Sequence, residues 1–223
     1  MGSKSERLTR SVAVMGLGRF GRSLALELMS EGAEVLGIDA DEQLVQSLAG
    51  RLTHVVSADS TNEEALRQLS VHEFRRVVVG IGTDVEASIL TTSVLVDLGV
   101  PHIWAKAISH SHARILSKVG AHHVIRPEHD MGQRVAHLVR GGMLDYIEFD
   151  DGYAMAKTTA PSFLWNHPLG ESGARRQFGV TIVAIKRMGV DFTYAAAETV
   201  VKHGDVIIVS GTRQNVEKFS AMQ

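Results

Sequence analysis

The chain reads as an α/β protein with a Rossmann-like, doubly wound parallel sheet of six strands, then a crossover helix and a small α+β C-terminal domain. Three observations predict this. Short runs rich in Val and Ile alternate with amphipathic stretches from Val12 to about Arg126. A G-x-G-x-x-G turn, Gly16-Leu17-Gly18-Arg19-Phe20-Gly21, separates the first strand from the first helix. After Pro127 the alternation gives way to closely spaced strand candidates.

The six strands are expected at Val12 to Met15, Glu34 to Ile38, His54 to Ser57, Val77 to Ile81, Ile103 to Lys106 and His123 to Ile125. Helix starts are signalled by Thr61 with Glu64 and by Thr83 with Glu86, the spacing in which a hydroxyl caps the helix and a carboxylate reaches back. Gly32, Gly99 and Gly120 stand where helices should stop. Glu128 to Gly141 reads as one more helix, with Met131, Val135, Leu138 and Val139 on an apolar stripe. Strands follow at Tyr146 to Asp150, Ala154 to Thr158, Val180 to Lys186 and Val206 to Ser210, with helical pieces near Leu169 to Phe178 and Arg213 to Met222. The expected domains are 1–127, a crossover and dimerisation helix over 128–142, and 143–223, with the boundary at the conformationally free pair Gly141-Gly142.

Composition removes several function classes. A net charge of −2 over 223 residues, with both signs mixed, gives no general attraction to phosphate polymers, so no nucleic-acid partner is expected. With no cysteine there is neither a disulfide framework nor a thiol nucleophile. Met1 to Arg10 is polar and lacks the apolar core of a signal peptide, and no apolar run approaches the roughly 18 residues of a membrane span. A cytoplasmic protein is expected, any membrane role coming through a partner.

The glycine turn carries the chemistry. Its glycines let backbone N–H groups approach a pyrophosphate at a helix N-terminus, and Asp39, closing the second strand, can accept from ribose hydroxyls. That acid disfavours a 2′-phosphate. Arg19, inside the turn, either reaches the terminal phosphates of ADP or ATP, where NAD would place an uncharged ribose, or is a solvated surface arginine. Asp59-Ser60 would lie where an adenine edge rests, or cap the next helix. Lys106, at the end of the fifth strand, either faces a phosphate or is a surface lysine with a buried stem. Glu128, following Pro127 at a strand end, would repel phosphates unless a divalent cation lay between. Tyr153 and Lys157 match a Y-x-x-x-K spacing used for proton transfer, but after the Asp150-Asp151-Gly152 turn they read as strand, which holds them about 13 Å apart. His110, His112, His122 and His123 do not have zinc-site spacing and read as ordinary histidines.

Several segments together resemble the RCK (TrkA-N/TrkA-C) family: Val14 to Gly21, Val79-Gly80-Ile81-Gly82, Ile103-Trp104-Ala105-Lys106 and Arg126-Pro127-Glu128-His129-Asp130-Met131-Gly132. Phe178 to Ile185 and His203 to Val209 resemble its C-terminal module. Within the family the likeness is to KtrA-type regulatory subunits of potassium uptake systems. The resemblance implies regulation without catalysis: homodimers assembling into a homo-octameric ring beneath a membrane-embedded KtrB/TrkH-type potassium-translocating subunit, at the inner face of the plasma membrane. It implies ATP or ADP, with NAD less favoured, held by Gly16, Leu17, Gly18, Arg19, Phe20, Gly21, Asp39, Ala40, Asp59, Ser60, Ile81, Gly82, Lys106 and Glu128. A cation such as magnesium or calcium would sit at Glu128, and Arg19 would reach a γ-phosphate across the dimer contact. The C-terminal module of this family can bind cyclic di-AMP, which Arg175, Leu169 and Ile182 would contact here. Gly170 and Ala195-Ala196-Ala197 depart from the family pattern there. The alternative reading is an NAD-dependent oxidoreductase. A nucleotide-sensing repressor would need a basic recognition helix, which no segment supplies.

Overall fold

The computed structural model describes residues 10–222. Residues 1–9, most of the polar Met1 to Arg10 start, lie outside the described residues. Contacts divide the chain into two units, one ending at Glu128 and the other starting at His129.

In the first unit, strands β1 (Ser11–Met15), β2 (Glu34–Asp39), β3 (His54–Ser57), β4 (Arg76–Val79), β5 (His102–Lys106) and β6 (His123–Ile125) form one sheet in the order β3-β2-β1-β4-β5-β6. Every pairing is parallel. The connections are helices α1 (Arg19–Ser30), α2 (Glu42–Leu48), α3 (Glu63–Gln68), α4 (Val85–Asp97) and α5 (His110–Val119). Alternation along β1 explains the layering: Ala13 and Met15 enter a core with Leu66, Leu95 and Leu116, whereas Val12 and Val14 enter another with Ala25 and Leu48. All five β1 residues are buried.

Two details differ from expectation. Strand β4 ends at Val79, two residues early, and the Gly80 N–H makes the last bond to β1, to the Met15 carbonyl at 2.6 Å. The caps are Asn62 and Asp84, each one residue beyond the threonines Thr61 and Thr83; their side chains accept from Ala65 N–H and Ala87 N–H. Asx side chains cap as well as hydroxyls, so adjacent candidates compete. Gly32, Gly99 and Gly120 do adopt the positive φ that follows a helix.

The second unit holds most of helix α6 (Pro127–Val139), then β7 (Asp145–Glu148), β8 (Tyr153–Thr159), helix α7 (Ala174–Phe178), β9 (Val180–Lys186), β10 (Thr193–Tyr194), β11 (Val206–Thr212) and helix α8 (Arg213–Ser220). The strands make an antiparallel sheet in the order β10-β9-β11-β8-β7. Its core contains Tyr146, Ala156, Ile207 and Val209, with Val216 and Phe219 of α8. Leu138 of α6 packs on that core, and Arg134 is bonded to Asp145 at 2.6 Å. The short β10 was not expected, and the helical piece near Leu169 begins only at Ala174. The Gly141-Gly142 pair lies inside this unit. Gly142 has φ +82°, and a Cβ on it would overlap the Ser220 carbonyl oxygen, so close packing is its task.

Asp205 is buried and receives two bonds from Arg187, at 2.9 and 2.7 Å, and the Lys202 N–H at 2.8 Å. The guanidinium holds its carboxyl below the usual carboxylate range. Among the described residues no helix is long and apolar enough to cross a membrane.

His112, on the buried face of α5, is 2% exposed. Its Nδ1 accepts the Ile108 N–H at 3.4 Å, which puts the proton on Nε2, and Nε2 finds no partner. Burial pushes its pKa down. The folded state therefore prefers the neutral ring and the unfolded state binds the proton more readily. That stability is complete above the unfolded value of about 6.5 and is lost as pH falls below it. The melting temperature of the wild type should drop between pH 7.5 and pH 5.5, and His112→Leu should show a smaller drop, measured by circular dichroism.

Candidate functional site

The site is built where the sheet order reverses, between β1 and β4. There the connections leave in opposite directions and open a crevice at the carboxyl ends of the strands. The three loop glycines have three different duties. Gly16 adopts φ +85°, and a Cβ on it would lie 2.8 Å from the Ile81 backbone nitrogen. A Cβ on Gly21 would overlap the Gly16 carbonyl oxygen, so strand and helix approach too closely for any other residue. A Cβ on Gly18 would meet nothing within 4 Å. Gly18 therefore faces open space at the start of α1, and that start has no side-chain cap. First-turn N–H groups there are left for an anion, and the open cradle fits a pyrophosphate.

Asp39 clamps the loop from the other side. Its Oδ2 accepts the Leu17 N–H at 2.5 Å and its Oδ1 the Asp41 N–H at 2.9 Å. One carboxylate therefore fixes both the glycine turn and the exit from β2, with lone pairs remaining for ribose hydroxyls. Ala40, beside it, is exposed. The Asp39 carbonyl accepts from the Ala58 N–H at 3.0 Å, tying in the loop that carries Asp59 and Ser60. Asp59 accepts from the Thr61 hydroxyl at 2.7 Å and N–H at 2.9 Å, and these bonds hold its carboxyl below the usual range. Ser60 shares a hydrogen bond of 2.9 Å with Thr91 of α4.

Opposite the loop, Lys106 at the end of β5 is 8% exposed. Its ammonium pairs with Glu128 Oε1 at 2.6 Å and lies 5.5 Å from the Phe20 ring. Gly82 makes room for it, since a Cβ there would sit 3.2 Å from Nζ. The Lys106 hydrogen bond holds the Glu128 carboxyl below the usual glutamate value. Arg19 is exposed at the first position of α1, within electrostatic reach of Glu128.

The loop, Asp39, Ile81, Gly82, Lys106, Phe20 and Glu128 thus meet through these contacts, and Asp59 and Ser60 are tied in through one loop. Thr91 was missed by sequence reasoning. Its signal is the buried polar set Ser88, Thr91 and Thr92 on α4, at helical spacing among apolar neighbours. Among the described residues no group of three or more His, Cys, Asp or Glu is poised to hold a metal. A cation at Glu128 would thus take most of its ligands from the nucleotide and water.

In the second unit a cavity of about 520 Å³ is lined by Leu169, Arg175 and Ile182 together with Gly170, Thr181 and Ala197. Arg175 Nε donates to the Thr181 hydroxyl at 3.2 Å. A Cβ on Gly170 would lie 3.2 Å from the Ala197 Cβ, so the two departures from the family pattern pack on each other. Tyr153 and Lys157 both lie on β8, and the Lys157 ammonium is 5.8 Å from the Phe192 ring.

Gly18→Ala should therefore retain the wild-type denaturation midpoint, while Gly21→Ala should lose about 1–3 kcal/mol through overpacking, read from urea unfolding.

The TrkA-N domain model matches residues 12–127 and the TrkA-C domain model residues 156–223. Ktr system potassium uptake protein C of Bacillus subtilis (strain 168) is 39% identical over 213 residues, 95% of this chain and 96% of the relative. Ktr system potassium uptake protein A of the same strain is 36% identical over 211 residues, 94% of this chain and 95% of the relative. Among solved structures, the GsuK channel bound to NAD superposes with a TM-score of 0.67 at 18% identity. That match covers 95% of this chain, which spans only 39% of the GsuK chain, and at this identity it speaks for the fold.

Proposed function

The chain belongs to the TrkA-N/TrkA-C family, and from that premise we propose that it is a non-enzymatic regulatory subunit that senses ATP and ADP and gates a membrane potassium transporter. The observation that carries the reading is the crevice between β1 and β4, where an open glycine cradle and a buried ammonium face one another in a chain that aligns end to end with Ktr potassium uptake proteins.

Nucleotide discrimination rests on charge. The phosphates lie on the N-terminus of α1 and near Lys106, the ribose on Asp39, and the adenine near Asp59 and Ser60. A γ-phosphate adds an anion that Arg19 of a neighbouring subunit and a cation at Glu128 contact in one subunit arrangement and not in the other; ADP lacks it. A ligand shifts such an equilibrium only by its difference in affinity for the two states. Charge-assisted hydrogen bonds of about 1.5–3 kcal/mol per site, summed over linked sites, are enough.

A ring of dimers needs two unlike interfaces on each subunit, and each unit offers an uncovered apolar set. On α6, Met131, Val135 and Val139 are exposed at four-residue spacing, which supports 128–142 as the dimerisation helix. In the first unit Leu90, Ile108 and Ile115 are exposed. The assembled ring, an octamer, docks on a KtrB/TrkH-type subunit at the cytoplasmic face of the membrane. The cavity at Arg175 takes cyclic di-AMP, its guanidinium facing a phosphate.

NAD is the competing nucleotide, given the ligand of the GsuK structure. An oxidoreductase draws no support from Tyr153 and Lys157, which lie on a strand.

Arg19→Ala should leave ADP affinity nearly unchanged and erase the preference for ATP. Calorimetric titration of ATP, ADP and NADH reads this, and an equal loss for ATP and ADP speaks against it. Potassium flux through vesicles holding the membrane subunit should change with ATP against ADP when the wild-type chain is added. Flux indifferent to the chain refutes the gating role.

A further inference from the structure

We propose that the open face of the C-terminal sheet, with the β9–β10 hairpin at its edge, binds an anionic lipid surface directly. This contact does not depend on the crevice of the first unit being a nucleotide site.

The sheet of the second unit is covered by helices on one side. Leu138 of α6, Ala174 of α7 and Phe219 of α8 all join the core that holds Ala156, Ile185 and Ile207. Their strand neighbours Lys157, Ala184, Lys186 and Ile208 therefore lie on the opposite face, and the register sets Tyr194 beside Ala184 there. An antiparallel sheet with one solvated face ordinarily carries polar side chains on it. Here Ile147 is 50% exposed, Phe192 39% and Tyr194 94%. Met188 stands in the hairpin turn that the Val190 N–H closes on the Arg187 carbonyl, and it is 95% exposed. Such a set of uncovered apolar side chains marks a contact surface.

Charge selects what covers it. The Lys157 and Lys186 ammonium groups lie 5.8 and 5.6 Å from the centre of the Phe192 ring. Both side chains are partly buried, so their stems run along apolar surface while the charged heads stay in water. The acids close by are engaged: Asp145 is bonded to Arg134 at 2.6 Å and Asp205 to Arg187 at 2.7 Å. Asp191 lines a cavity together with Arg187 and Lys202. A second copy laid face to face would set lysines against lysines, and an uncharged apolar partner would bury two ammonium groups without a counter-charge. An anionic bilayer meets both demands. Its headgroups pair with the lysines, its interface suits the aromatic rings at the same level, and its acyl boundary takes Met188 beyond them. The net charge of −2 on the whole chain gives no such attraction, which is therefore local to this face.

The test is co-sedimentation of the full chain with vesicles of phosphatidylcholine alone and of phosphatidylcholine with about a quarter phosphatidylserine, at low and at high salt. The wild type should bind the anionic vesicles at low salt, release most of them at high salt, and hardly bind the neutral ones. Lys157→Gln with Lys186→Gln should weaken anionic binding roughly twentyfold, about fivefold for each lysine. Met188→Ser should weaken it roughly tenfold through lost apolar insertion. Met188 packs on almost nothing, so this variant keeps the test open should the lysine pair disturb folding. Anionic binding equal to the wild type in both variants would put the lipid contact elsewhere and overturn the proposal, as would binding indifferent to lipid charge. A wild type that binds neither vesicle, with a subunit count by light scattering that falls in Met188→Ser, would make the face an interface between copies and equally overturn it.

Discussion

The first unit depends on one close approach, that of the turn after β1 to the helix that follows it. The Gly16 carbonyl lies where a Gly21 side chain would be, and a Cβ on Gly80, the residue after β4, would lie 3.0 Å from the same oxygen. Three backbones meet there without a side chain between them. This contact fixes where α1 starts relative to the end of β1, and the Gly16 N–H is tied to the Ile38 carbonyl at 2.9 Å. Asp39 completes the arrangement from β2 by accepting the Leu17 N–H. A sheet with the same order but bulkier residues at these points would have a wider loop and an unaimed helix terminus.

Most of this was legible because the signals are local. A glycine spacing, a strand of Val and Met before it and an acid about 20 residues later each report on backbone geometry within a few residues of themselves. The six parallel strands were legible for the same reason, since each is a short run carrying Val or Ile, and β1, β2 and β4 are buried along most of their length. What could not be read were the partners that meet only in space. Nothing in the sequence pairs Lys106 with Glu128 rather than with a phosphate, or Ser60 with Thr91. The caps missed by one residue show a related ambiguity: Thr61 and Asn62 are both competent, and the choice falls to Asn62 because Thr61 is engaged by Asp59.

The second unit contains the Gly141-Gly142 pair. Gly141-Gly142 has the composition of a hinge, yet Gly142 is held by packing against the end of α8, and its carbonyl accepts from the Thr158 hydroxyl at 2.6 Å. Conformational freedom in the unfolded chain says nothing of whether the folded chain uses it for motion or for close approach. The same unit puts a charged pair to structural use. Arg187 keeps its guanidinium partly in solvent while Asp205 is fully buried, so the burial cost falls on one ion, and that ion is satisfied by three donors. The turn before β11 is thereby pinned, since the Asp205 carbonyl also accepts the Ala160 N–H.

The charge pattern of the crevice follows a single logic. Backbone dipoles at α1 supply a weak, fixed positive field that cannot tell two phosphates from three. Lys106 adds a full charge, but a buried ammonium needs company at all times, and an acid close by is the economical way to provide it. Exposure divides the pair unequally: Glu128 lies at the second position of α6 with its side chain mostly in water, whereas Lys106 is buried, so the cost of burying charge falls on the ammonium and the acid offsets it from the surface.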